Sequence, residues 1–288
     1  MTAKEAGFLL LTSHLGNPDR RPLTVAQFRD LTKKMANMQK PTEDRDLKAE
    51  DLYRIGCSSE MAVRIVALLS QTQQLQWYLT KAKEAGCRAL TRVSNRYPAA
   101  LRKRLGLDSP GCIWAKGDLS VLENKKIALV GSRDLYSPNR SFAREVGKQA
   151  ALQGYALVSG NARGADREGQ EACLSAGGQV ISVVADSLAD KPVRPGVLYL
   201  SEDAFEEGFS TYRALSRNRL IHSLGKATFV AQCSWGRGGT WNGTNRNLQH
   251  KWSPVYIFDD GSPASERLQQ LGARAVKEET LACLNNLI

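Results

Sequence analysis

From residue 126 the chain alternates between two patterns. Short runs in which nearly every position is apolar, at 127–131, 155–159, 179–184, 197–200, 227–232 and 254–258, are separated by longer segments whose apolar positions recur every three or four residues. The first pattern is that of a strand buried on both faces. The second is that of an amphipathic helix, here at about 138–153, 165–177, 212–225, 241–250 and 263–272. Strands alternating with single helices predict right-handed crossovers and an open, doubly wound, mainly parallel α/β sheet.

Before residue 126 the pattern is different. Helical spacing at Phe8–Leu15, Thr24–Met38, Lys48–Tyr53 and Ser59–Ser70 predicts a small helical domain, with Thr24 and Ser59 as N-caps and Pro22, Pro41 and Gly56 as breaks. In DLYRIGCSSEMAVRIVALL a short helix turns at Gly56 into a longer one whose Ala62, Ile65, Val66 and Leu69 face inward. Such pairs either pack only against each other or set a helix N-terminus against a nucleic-acid phosphate. A further helix runs from residue 71 and closes at Gly86, after which short extended pieces pass Pro98, Pro110 and Gly117. The expected division is a helical module of SAM-like or helix-hairpin-helix-like form at 1–74, a basic connecting segment at 75–125 and the sheet domain at 126–288.

Ligands of open parallel sheets bind beyond the carboxyl ends of the strands, where loops and helix N-termini converge. Four segments carrying arginine are expected there. The first is Gly131-Ser132-Arg133, with Ser137 and Asn139 just before the next helix, and the second is Ser159-Gly160-Asn161-Ala162-Arg163-Gly164. The third is Leu215-Ser216-Arg217-Asn218-Arg219, fronting a helix with the stripe Leu220, Ile221 and Leu224; the fourth is Gly236-Arg237-Gly238-Gly239-Thr240. Glycine lets backbone N–H groups approach an anion, a helix N-terminus carries partial positive charge, and arginine forks two hydrogen bonds onto a phosphate. Arg217 and Arg219 diverge around their helix, so one is expected on a ligand and the other on a carboxylate of the fold. Any one of these loops is an ordinary turn with a surface arginine. Four in one sheet point to a polyanion, either a mononucleotide or the backbone of a strand. Tyr136, Tyr212, Trp235 and Trp241 flank the loops and are candidates for base stacking, or else plugs over the sheet.

Charge sharpens this picture. Of the net +11, residues 1–125 carry a surplus of 8 and residues 126–288 a surplus of 3. A field of that sign favours polyanions, so nucleic acid is the first partner to consider. Arg88, Arg92, Arg96, Arg102, Lys103 and Arg104 make the connecting segment the most basic stretch, either a solvated face or a second contact with DNA. The 42% hydrophobic and 24% charged shares are those of a globular protein, and no apolar run reaches the 18 or so residues of a membrane span. The early FLLL patch follows a single lysine and precedes no small-residue cleavage site, so neither a secretory leader nor a membrane anchor is expected, and the location is expected to be cytoplasmic.

Other chemistries lack their residues. Cys57, Cys87, Cys112, Cys173, Cys233 and Cys283 lie 25 or more residues apart without a CxxC pair, and His14, His222 and His250 are scattered. Reduced, packed thiols are expected, with no metal and no cofactor. There is no GxxxxGK[ST] and no GxGxxG, which speaks against nucleoside-triphosphate hydrolysis and dinucleotide redox chemistry.

The series RYPAAL, WAKGDLSVL, IALVGSR, SGNARGAD, LSRNRLIHSL and GRGGT, in that order across residues 75–258, resembles the DNA-processing protein A (Smf) family. The resemblance implies a helical module followed by an extended Rossmann-like domain, single-stranded DNA binding in a basic pocket at the sheet edge, self-association as a homodimer, and loading of a RecA-type recombinase onto the strand. By motif, Gly131, Ser132, Arg133, Ser159, Gly160, Arg163, Gly164, Asp166, Arg217, Asn218 and Arg219 carry over. Where the family continues with a histidine-bearing helix, this chain has Arg167-Glu168-Gly169-Gln170-Glu171, and the stretch after Thr240 is divergent. The chain is also expected to lack the additional C-terminal helical module of some members.

The competing reading is an enzyme. Lysine-decarboxylase-like (LOG) phosphoribohydrolases have a GGxGT motif echoed by Gly238-Gly239-Thr240, but they need a positioned glutamate, and Trp241-Asn242-Gly243-Thr244-Asn245-Arg246 has no acidic residue. Asp166, Glu168 or Glu171 would have to serve, and each also suits the first turns of a helix. A nucleotide-sensing module would use the same loops without chemistry. The expectation is a protein that binds single-stranded DNA in DNA uptake, recombination or repair without cutting it.

Overall fold

Thr2 and Glu5 fix where the first helix begins. The Thr2 hydroxyl accepts from the Glu5 N–H at 3.3 Å and the Glu5 carboxylate accepts from the Thr2 N–H at 2.7 Å. This reciprocal cap starts α1 (Ala3–Thr12) well before the apolar patch that suggested it. The computed structural model describes residues 1–36 and 46–288. Thr24 caps α2 (Val25–Ala36) through the Gln27 N–H at 3.2 Å, whereas Met38 and Pro41 lie outside the described residues.

Next come α3 (Ala49–Arg54), α4 (Ser59–Leu69) and α5 (Thr72–Glu84). Gly56, at φ +82°, makes the turn before α4, and the cap is Ser58, not Ser59: its hydroxyl accepts from the Met61 N–H at 3.3 Å. Leu11, Leu23, Leu31, Leu52, Ala62, Ile65 and Leu68 form the core of these helices. Residues 1–84 with 91–97 make one compact unit, and residues 85–90 with 98–288 make a second.

The second unit holds β1 (Cys87–Thr91) except its last residue, α6 (Ala99–Leu105), β2 (Cys112–Lys116), β3 (Lys125–Val130), α7 (Ser137–Leu152), β4 (Tyr155–Ser159), α8 (Ala165–Ser175), β5 (Val180–Val184) and β6 (Val197–Glu202). It continues with α9 (Thr211–Ser216), α10 (Asn218–Leu224), β7 (Thr228–Val230), α11 (Gly238–His250), β8 (Val255–Phe258), α12 (Pro263–Gln270) and β9 (Arg274–Val276). The expected helix at 212–225 is therefore two, with Arg217 between them.

Among the described residues the strands form one sheet in the order β1-β2-β6-β5-β4-β3-β7-β8-β9. From β6 to β9 the pairings are parallel, and β2 runs antiparallel to β6, giving the mainly parallel, doubly wound sheet expected. Every residue of β4 and β5 is buried, as helices on both faces require. Along the chain the strands step outward from β3 through β4 and β5 to β6. The chain then returns to the other side of β3 with β7, so the topological switch point lies between β3 and β7.

Candidate nucleic-acid interface

Because β4, β3 and β7 are neighbours, the loops leaving their carboxyl ends emerge side by side. Hydrogen bonds join them. The Ala165 N–H donates to the Ser132 carbonyl at 3.1 Å, tying the loop after β4 to the loop after β3. Gly164 makes that approach feasible: its φ is +83°, and a Cβ there would overlap the carbonyls of Ser132 and Arg133. On the other side the Gln232 side chain bridges the switch point. Its Oε1 accepts from the Tyr136 N–H at 3.0 Å and its Nε2 donates to the Asp134 carbonyl at 3.1 Å. Asn139 Nδ2 donates to the Ala231 carbonyl at 2.9 Å and the Thr240 hydroxyl to the Gly131 carbonyl at 2.9 Å. The segment at 215–219 joins through Asn218, whose Nδ2 donates to the Gly239 carbonyl at 3.1 Å.

All four arginine-bearing segments thus meet at one edge, but their side chains divide into two sets. Arg133, Asn161, Arg163, Arg237 and Gly238 are exposed, with Ser132, Gly239 and Thr240 half-buried beside them. Arg133 and Arg237 make no ion pair or side-chain hydrogen bond among the described residues. The N-caps of α7 and α11 are Tyr136 and Arg237, and neither closes its helix with a side-chain bond. The first amides of both helices, and the positive ends of their dipoles, flank the switch point.

The second set faces inward. Ser159 is fully buried, its hydroxyl accepting from Gln170 Nε2 at 2.7 Å. Gly160 leaves room for protein, not for a phosphate: a Cβ there would overlap the Arg217 guanidinium and the Asp166 carboxylate. Arg217 is buried, with Nη1 donating to the Val183 carbonyl at 2.7 Å and Nη2 lying 3.9 Å from Asp166 Oδ2. Burial pushes the Asp166 carboxyl above its ordinary range, against the pull of Arg217 and of the Ala162 and Gly160 amides. Arg219 Nη1 donates to Glu202 Oε2 at 2.7 Å. The expectation that one of Arg217 and Arg219 would be left for a ligand is corrected, since both find carboxylates of the fold.

Tyr136, Tyr212 and Trp235 are 73%, 78% and 60% exposed, whereas Trp241 is 8% exposed and part of the core, which removes it from the stacking candidates. The sequence reading missed Phe209, 61% exposed two residues beyond the acidic pair Glu206-Glu207, and it missed the bridging role of Gln232. A polar residue closing the otherwise apolar run ATFVA was the available signal for the latter.

The carboxylates a hydrolase would draw on are engaged elsewhere. Asp166 accepts from the Ala162 N–H at 3.2 Å, Glu168 pairs with Arg140 and Arg144 at 3.3 and 2.7 Å, and Glu171 pairs with Arg194 at 3.2 Å. Among the described residues no group of three or more His, Cys, Asp or Glu is placed to hold a metal ion, the cysteines are free thiols, and no helix is long and apolar enough to cross a membrane.

Residues 88–285 match the family model described as DNA recombination-mediator protein A. The chain belongs to that family. The match takes in every segment of the rim. DNA processing protein DprA of Bacillus subtilis is 26% identical over 233 residues, covering 74% of this chain and 77% of that protein. The Streptococcus pneumoniae DprA is 30% identical over 185 residues, covering 59% and 64%. In fold, the chain resembles the X-ray structure of DprA from Streptococcus pneumoniae, with a TM-score of 0.65 at 22% identity over 90% of this chain and 96% of that one. It also resembles DNA processing protein A from Helicobacter pylori, whose solved structure addresses a single-stranded DNA binding mode, with a TM-score of 0.57 at 20% identity over 70% and 95%.

Proposed function

We propose that the chain binds single-stranded DNA along the rim above β4, β3 and β7, holding the strand by its phosphates without chemical change, as a mediator in DNA uptake, recombination or repair. The observation that carries this reading is the bonding of three loops into one edge from which Arg133, Arg163 and Arg237 project. The open N-termini of α7 and α11 add donors of the same sign. Membership of the recombination-mediator family and the single-stranded DNA bound by the Helicobacter pylori protein support the same ligand.

Tyr136, Tyr212 and Trp235 supply rings on which unpaired bases stack, which a duplex cannot offer. The strand is therefore preferred over the duplex, with little sequence preference. Assembly as a homodimer and delivery of the strand to a RecA-type recombinase in the cytoplasm complete the proposed role. The test is equilibrium binding of a labelled unstructured oligonucleotide beside the same sequence as duplex, with incubation of the protein and nucleoside monophosphates as the counter-assay. Tighter binding of the single strand and no free base are expected. Release of free base, or equal affinity for both forms, would overturn the reading.

A further inference from the structure

The three rim loops, residues 131–136, 160–164 and 234–240, contain one carboxylate, Asp134. It stands next to Arg133 in the chain and pairs in space with Arg163, Oδ1 to Nη2 at 2.9 Å, with side chains 83% and 69% exposed. Its backbone is held at both ends: the N–H donates to the Ser132 hydroxyl at 3.3 Å and the carbonyl accepts from Gln232 Nε2 at 3.1 Å. Neither residue is needed for the core. The carboxylate occupies the same donors that a phosphate would use.

We infer that Asp134 is a resident anion of the rim, a specificity-determining residue that competes with DNA phosphate for Arg163. The inference rests on the proposed binding of single-stranded DNA. An exposed ion pair of this kind is weak and is exchanged readily, so Asp134 tunes the site and does not close it. The consequence is discrimination by valency. A single phosphate must displace the carboxylate to gain Arg163, whereas a strand already held by Arg133 and Arg237 displaces it with its other contacts in place. The rim therefore favours polymers over mononucleotides and free phosphate, and its hold on the strand is weaker and less steeply dependent on salt than it would be without the carboxylate.

The test is a fluorescence-anisotropy cycle with a labelled oligothymidine, comparing wild type, Asp134→Asn, Arg163→Ala and the double variant, with far-UV circular dichroism confirming that each is folded. Asp134→Asn should tighten binding by about three- to tenfold at low salt, since it removes both the competing pair and a nearby like charge. It should also steepen the salt dependence by up to about 0.7 log units per tenfold salt, because Arg163 now takes on a phosphate without releasing a carboxylate. In the Arg163→Ala background the gain should fall below about twofold. In a competition arm, the inhibition constant of inorganic phosphate should fall in Asp134→Asn by at least as large a factor as the dissociation constant of the oligonucleotide does, since phosphate no longer has a carboxylate to displace from Arg163; a fall confined to the oligonucleotide overturns discrimination by valency. Unchanged or weaker binding by Asp134→Asn overturns the inference while leaving single-stranded DNA binding intact. A gain of equal size with and without Arg163 overturns it in favour of bulk charge. Absence of binding by the wild type removes the proposed function and this inference together.

Discussion

Arg217 and Asp166 meet behind the rim, their side chains each 10% exposed and their nearest charged atoms 3.9 Å apart. The pair is spread between α8 and the junction of α9 with α10, and it is completed by bonds to the Val183 carbonyl and the Ala162 amide. Arg217 Nε has no partner among the described residues, so the group is already at the edge of what burial tolerates. Arg217→Ala leaves Asp166 uncompensated in the interior and should destabilise the fold by roughly 3–5 kcal/mol. Urea denaturation measures this; an unchanged midpoint would show that Arg217 faces water after all.

The exposed rings behave differently from the buried one. Tyr136→Ala, Tyr212→Ala and Trp235→Ala should leave the melting temperature unchanged and each weaken binding of single-stranded DNA by up to about 1–3 kcal/mol. Trp241→Ala should cost roughly 3–5 kcal/mol of stability, because it empties a core position. Loss of affinity without loss of stability in Trp241→Ala would return that ring to the binding surface.

His222 gives the fold an acid limit. It is fully enclosed, with Nδ1 3.2 Å from Asn247 Nδ2 and 3.3 Å from the Thr228 hydroxyl, and burial pushes its pKa down to about 3. Since the Asn247 amide donates, Nδ1 is the acceptor and the ring is neutral. The unfolded chain takes up a proton below about pH 6.5 and the folded chain does not, so this contribution to stability is full above pH 6.5 and is lost as pH falls towards 3. At pH 5 the loss is about 2 kcal/mol. Burial of Asp166 acts with the opposite sign, its raised pKa favouring the folded state as the carboxyl protonates in acid. Denaturation of the wild type and of His222→Asn between pH 5 and 7.5 separates the two. The wild type should lose stability across this window and the variant should lose less; parallel curves would place the titrating group elsewhere.

Much of this architecture was legible in the sequence because the strands are buried on both faces and read as unbroken apolar runs, as in IALV and YALVS. The loops were legible because each sets small residues and an arginine directly after such a run. The direction of each arginine was not. That Arg217 turns in is decided by Asp166 and Val183, and the carboxylate that Arg219 meets is Glu202. These partners are brought together only when the sheet forms. The strands β1 and β2 were read only as extended pieces of a connecting segment, since CRALT has one exposed and one half-buried position and β2 pairs antiparallel with a distant strand. Trp241 looks like a residue flanking the glycine-rich loop because the expected helix starts at 241, whereas α11 starts at Gly238 and carries the ring within its first turn.

The central claim is that guanidinium groups on separate crossover loops grip one chain of phosphates, and its most direct test is a salt titration of oligothymidine binding by wild type and by the Arg133→Ala/Arg237→Ala double variant. These two arginines are exposed and unpaired among the described residues, so their loss should not affect folding. The expected result is weaker binding at every salt concentration, with the slope of log affinity against log salt shallower by about 1.4, or about 0.7 for each phosphate contact removed. Equal affinity and equal slope in the folded double variant would contradict it and move the strand away from this rim.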